Sequence, residues 1–184
     1  MALLEGFNIA NVERVKIVTD ETVPVTHVFE TASSATATPA VSAGQEVEQR
    51  VKNAIKGLLR TEDIVKGYDI DLEDQRVIME VFALVDGGTM TGAGAEWTKY
   101  TGPTAGASVT RKGFSLYLYT SDRDTDGGAL AYHEWKLPGC KGKAVPLNFA
   151  DGAFSSMKYS ITSRPATGVG VIEVSKIEEL PAVT

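Results

Sequence analysis

The sequence predicts an all-β domain, a β-sandwich or barrel with one short helix and long loops. Three observations carry this reading. Short runs of alternating apolar and polar residues recur along most of the chain, turns rich in Gly, Asp and Pro separate them, and only one segment combines helical spacing with helix start and stop signals. The 184 residues make a domain of ordinary size, and neither a repeat nor a linker divides them, so 1–184 reads as one domain. With 43% hydrophobic residues the chain has material for a core. Its net charge of −6 speaks against a general nucleic-acid binder, which would carry a basic face. No apolar run approaches the ~20 residues that a membrane-crossing helix needs. The start, Met1-Ala2-Leu3-Leu4-Glu5, lacks the basic and apolar regions of a signal peptide and is expected to be flexible. Cys140 is the single cysteine, which rules out an intrachain disulfide and points to an intracellular site of assembly.

Residues 12–19 (VERVKIVT) alternate, with Val15 and Ile17 on one side and Lys16 on the other. Residues 23–30 (VPVTHVFE) do the same, with Val23, Val25, His27 and Phe29 in phase. Residues 31–44 (TASSATATPAVSAG) are small and uncharged, and Val41 is their one bulky apolar side chain. Such a stretch buries too little area to offset its own ordering entropy. It is expected to form a long loop or arm over 31–45, either flexible or ordered against a partner. Residues 45–60 admit two readings. Val47, Val51, Ala54, Ile55, Leu58 and Leu59 fall at helical spacing, whereas Val47, Gln49, Val51, Asn53 and Ile55 alternate. Gly57 weakens a helix by about 1 kcal/mol.

Residues 61–88 (TEDIVKGYDIDLEDQRVIMEVFALVDGG) are the most informative. An acidic turn at Glu62 and Asp63 leads into an alternating strand over 65–72. A helix is expected over 75–85, capped by Asp74, with Val77, Ile78, Val81, Phe82 and Val85 on one face and Gly87 and Gly88 stopping it. Residues 87–108 hold six glycines and two charges and read as a second long loop, anchored by Trp97 and Tyr100. Further strands are expected at 112–120, 129–137, 143–149, 158–163 and 169–175.

Several motifs have chemical potential. Asp122, Asp124 and Asp126, followed by Gly127, have the spacing of a calcium loop. The twelfth position is His133 where a bidentate Glu belongs, and the flanks read as strands, so a solvated hairpin turn is the plainer account. Cys140 and His133 are the nearest thing to a nucleophilic pair, but Cys140 sits in the turn-like Pro-Gly-Cys-Lys-Gly. Gly92-Ala93-Gly94 lacks the strand–helix context of a phosphate cradle. Phe114, Tyr117, Tyr119, Tyr132 and Trp135 form an aromatic series that suits a stacking platform or, more simply, paired-strand packing. No pair of carboxylates is marked out for acid–base work. The pattern therefore indicates neither an enzyme nor a cofactor.

The 61–88 block, with its strand, helix and Ala-Leu-x-x-Gly-Gly, is one of three features that together resemble the major tail tube proteins of long-tailed bacteriophages. The second is Phe149-Ala150-Asp151-Gly152-Ala153-Phe154, leading through a strand to Arg164-Pro165, and the third is the closing Ile177-Glu178-Glu179-Leu180-Pro181. The likeness spans roughly residues 12–181 and lies in patterns of fold. It implies a structural virion protein, assembled in the host bacterial cytoplasm. Such subunits form hexameric rings, contribute strands to a shared inner β-barrel, and stack into the tail tube through which the genome is ejected. The implied partners are further copies of the chain, other tail proteins, and genomic DNA passing without specific binding; no membrane is involved. On this resemblance 46–59 becomes two strands. Thr31, Ser33, Thr36, Thr38, Pro39, Val41 and Gly44 belong to the arm that reaches the next ring. Glu46, Glu48, Asp69 and Asp71 become candidates for an acidic lumen, which repels phosphate. Contractile and non-contractile tails both remain open. The competing expectation is a β-sandwich module that binds carbohydrate or calcium.

Overall fold

The protein is described by a computed structural model covering residues 6–183; the expected flexible start, where it concerns residues 1–5, lies outside the described residues. In chain order the first strands are β1 (Ala10–Thr19), β2 (Thr26–Phe29), β3 (Ala32–Ser42), β4 (Glu46–Val51), β5 (Ala54–Arg60) and β6 (Ile64–Asp74). The helix α1 (Met79–Asp86) follows, then β7 (Thr89–Thr91), a 3-10 turn, β8 (Lys99–Thr101), β9 (Phe114–Arg123), β10 (Ala129–Gly142), β11 (Met157–Ser163) and β12 (Glu173–Ile177). The main sheet is antiparallel, in the order β2-β1-β9-β10-β11-β6-β3, with β12 added alongside the first half of β10. β3, at the far end of that order, comes back against β1. Among the described residues no ladder joins the two, so the sheet curls without closing into a barrel. The all-β expectation holds.

The core lies inside the curl, on the face selected by the period-2 pattern. Val15 stands opposite Leu118 and Ile17 opposite Leu116; Ile161 faces Ile70 and Tyr159 faces Leu72. All are buried, as are Phe114 and Leu137. Each such aliphatic side chain contributes about 1.5–3 kcal/mol by leaving water. The helix adds Val81, Phe82, Leu84 and Val85 to the same cluster.

Several expectations are corrected. The helix begins at Met79, not at 75, and Asp74 does not cap it. The Asp74 carboxylate instead accepts the Arg76 N–H at 3.1 Å, making a local turn. Gly87 does end the helix, in the left-handed region at φ 87°, donating its N–H to Ala83 O. Residues 143–149 form no strand: Lys143 and Val145 bond to Ser160 O and the Asp86 carboxylate, and the chain then runs as an exposed loop to Met157. Most importantly, the expected loop at 31–45 is largely the strand β3. Ala35 pairs with Leu72, Thr36 with Asp71, Ala37 with Ile70 and Thr38 with Asp69. Burial of its own side chains does not hold this strand; the ladder to β6 does, and small residues suit the place where β3 closes on β1. Pro39 sits on this last strand of the order, where a missing N–H is tolerated.

Candidate assembly surface

Residues 43–63 join β3 to β6 by projecting beyond the sheet as a two-stranded ribbon. β4 and β5 pair with each other and with no third strand among the described residues. The alternating reading of 46–59 is therefore the correct one. The hairpin turns at Lys52 and Asn53, with Lys52 at φ 56°. Its root is fixed by Thr61, whose N–H bonds to Gln45 O while its hydroxyl accepts the Gln45 N–H at 2.7 Å. Gly44 donates to the Asp63 carboxylate at 2.6 Å. A Cβ at Gly44 would lie 1.9 Å from Thr61 O, so this crossing requires glycine.

The register divides the ribbon into two faces. Val47 pairs with Leu59, Gln49 with Gly57 and Val51 with Ala54, giving one face without a charge. Glu46 pairs with Arg60, Glu48 with Leu58 and Arg50 with Ile55, after a bulge at Lys56. That second face carries the Glu48–Arg50 ion pair at 2.7 Å. Both faces expose large apolar side chains: Val47 56%, Ile55 55%, Leu58 59% and Leu59 65%. Monomeric proteins rarely leave such a strip uncovered, and two-stranded ribbons are marginal by themselves.

The β3–β6 ladder ends at Val41↔Val65 and Ser42↔Ile64, and the ribbon's own ladder begins beyond the root at Glu46↔Arg60. Glu46 and Glu48 lie on the charged face of the ribbon, and Asp69 and Asp71 lie on the side of the sheet turned away from the core. Glu73 joins them, and Thr36, Thr38, Ser160 and Thr162 flank them across the ladders. Asp69 pairs with Arg164 at 2.7 Å and Asp71 accepts the Ser160 hydroxyl at 2.8 Å. The arm residues deduced from sequence fall elsewhere. Ser33, Thr36, Thr38, Pro39 and Val41 lie within β3, Thr31 precedes it, and only Gly44 belongs to the ribbon's root.

The other motifs are absorbed by the fold. Asp124 accepts the N–H groups of Asp126 and Gly128 in the β9–β10 turn, while Asp122 accepts Asn8 N–H. Among the described residues no group of three His, Cys, Asp or Glu is arranged to hold a metal ion. Cys140 is fully buried, bonds to Leu137 O, and burial pushes its thiol up to about 12. His133 lies seven residues away on the same strand, stacked under Phe7 at 3.9 Å, so the two do not form a pair. The aromatic series is split between faces. Phe114 and Trp135 point to the core side, whereas Tyr117 and Tyr119 lie under Lys16, whose ammonium is 4.0 Å from the Tyr117 ring centre. Tyr119 donates to Glu134, and burial, followed by that bond, raises its pKa. A groove of about 490 Å³ between β2 and α1 holds His27 and Glu80, and burial keeps His27 below its usual range. No helix among the described residues is long and apolar enough to cross a membrane.

No family model matches the chain, and no curated protein matches it. Two solved structures are similar to it over nearly their whole length. One is the anti-feeding prophage cap, the tube-terminating cap, with 12% identity, a TM-score of 0.43, and coverage of 96% of this chain and 97% of the other. The second is the anti-feeding prophage baseplate, with 10% identity, a TM-score of 0.42, and coverage of 94% and 97%.

Proposed function

We propose that the chain is a structural subunit of a phage-type tail tube, which associates with further copies of itself through the β4–β5 ribbon. The observation that carries the reading is that ribbon: two paired strands, Glu46–Val51 and Ala54–Arg60, with large apolar side chains on both faces and no covering layer among the described residues. The sequence resemblance to tail tube proteins, stated above from the 61–88 and 149–165 blocks, supplies the class of assembly. On this reading rings of six subunits stack into a tube, and the genome passes through it. On this reading the carboxylates of Glu46, Glu48, Asp69, Asp71 and Glu73 belong to the lumen, where they repel a phosphate backbone; Arg50, Arg60 and Arg164 stand among them and offset part of that charge. The role is mechanical; it assigns no catalysis and no cofactor. It also moves the inter-ring arm from 31–44 to 46–60, since β3 is already committed to the sheet.

Negative-stain microscopy of the purified full-length protein at increasing concentration tests the proposal. Rings or tubes are expected. Particles that remain single at every concentration, together with measurable affinity for a sugar or for calcium, would replace it with the binding-module reading.

A further inference from the structure

β6 leaves the ribbon root at Ile64 and ends at Asp74, opposite Met157 of β11. Its 11 residues span on the order of 35 Å at the usual rise per residue. The ribbon thus projects from one end of the sheet. The loop between β10 and β11 reaches the other end at Met157, and it carries further exposed apolar side chains. Leu147 is 55% exposed, Phe149 79% and Phe154 108%, and this loop has no regular structure of its own. Phe154 stands beside Glu73, and Asp151 lies between the two phenylalanines in sequence.

The ribbon also differs in charge from the rest of the chain. Residues 46–60 contain four cations (Arg50, Lys52, Lys56, Arg60) against two acids (Glu46, Glu48), a net +2. The whole chain is −6, so the remainder carries −8. The tip beyond Glu48 has Arg50, Lys52 and Lys56 and no further acid.

Building on the proposed self-association, we infer that the ribbon of one copy docks on the Leu147–Phe154 loop of a second copy, ribbon end to loop end. The uncharged Val47–Leu59 face would cover the phenylalanines, and the cationic tip would meet Glu73 and Asp151. Because the two patches are different and sit at opposite ends, the contact is head-to-tail. Such a contact repeats without limit along an axis, whereas a self-complementary one stops at a dimer. It specifies which surface receives the ribbon, and it gives the stack a direction.

The test uses the full chain in three forms: unaltered, Phe149→Ser/Phe154→Ser, and Asn53→Cys/Asp151→Cys. The buried Cys140 leaves the introduced thiols as the reactive ones. Sedimentation reads assembly, circular dichroism reads folding, and a short bis-maleimide reads which ends meet. We expect the serine variant to keep its spectrum and lose assembly at least tenfold in concentration, and the cysteine variant to give a covalent ladder beyond the dimer. If the unaltered protein assembles while the serine variant assembles equally well and the cysteine variant gives no ladder, the loop is not the receptor, although self-association stands. A ladder that stops at the dimer, given also by Asn53→Cys alone, means tip-to-tip pairing and overturns the inference. If the unaltered protein stays monomeric throughout, the proposed function falls and the inference with it.

Discussion

Val47 and Leu59 are direct cross-strand partners on the uncharged face of the ribbon, and both are more than half exposed. In a lone subunit this pair contributes little, since side chains left in water gain no transfer free energy. Its value arises only when another surface covers it. Replacing both by Thr should therefore change monomer stability by less than about 0.5 kcal/mol. Association should weaken by two or more powers of ten, because two aliphatic side chains would otherwise gain about 1.5–3 kcal/mol each on burial. Thermal melting and sedimentation of the same variant separate the two effects.

Gly44→Ala should act on the ribbon's direction rather than on the core. A Cβ there would sit 1.9 Å from the Thr61 carbonyl, which belongs to the root of the ribbon and to no core contact. The main melting transition should move little, whereas backbone amides of residues 45–61 should exchange faster with solvent. Unaltered exchange in that segment would show that the root is not built on this close approach.

The core carries a removable cost. Tyr159 is fully buried, its hydroxyl has no hydrogen-bond partner among the described residues, and burial raises its pKa. An unpaired buried hydroxyl is unfavourable. Tyr159→Phe keeps the ring against Leu72 and deletes the hydroxyl, so denaturant unfolding should show unchanged or higher stability, by up to about 1 kcal/mol. A loss of more than that would mean that the hydroxyl has a partner within the fold.

Acid sensitivity should pass partly through Glu13. Its carboxylate accepts the Ser121 hydroxyl at 2.7 Å and pairs with Arg123 at 2.8 Å, and these bonds hold its pKa below 4.5. A lowered folded pKa means that the contribution is fully present above about pH 4.5 and is lost as the pH falls through the folded value. Glu13→Gln should cost about 1 kcal/mol at neutral pH, discounted for partial exposure, and should flatten the acid limb of the stability curve below pH 4.5. Parallel acid limbs for the two proteins would exclude this contribution.

How far the sequence could be read follows from what each segment depends on. Val15, Ile17, Leu116, Leu118, Ile70 and Leu72 are large side chains in strict alternation, so their strands and facing were legible directly. Gly87 marked the helix end because a left-handed C-cap calls for glycine locally. β3 was not legible, since Ala, Ser and Thr carry no amphipathic signal and the strand exists through its ladder to β6, some thirty residues further along the chain. The helix start was misjudged because Asp74 offers its carboxylate to a turn at Arg76, a use that resembles a cap in sequence. Residues 46–60 were ambiguous because Leu58-Leu59 and the bulge at Lys56 break the alternation, and only pairing decides between the readings. Of the site, Glu46, Glu48, Asp69 and Asp71 were named from the family resemblance, their facing being illegible in the sequence, and the ribbon's two faces emerge only from its register.

The measurement that bears most directly on the central claim is sedimentation of a full-length variant in which residues 46–60 are replaced by a short Gly-Ser turn. β3 and β6 would still pair through Ala35↔Leu72 and Ala37↔Ile70, so the variant should fold with the unaltered melting transition. The account predicts a folded monomer at concentrations where the unaltered chain forms rings or tubes. Tubes of normal length and stability from the shortened chain would contradict it, because the ribbon would then not be the contact between copies.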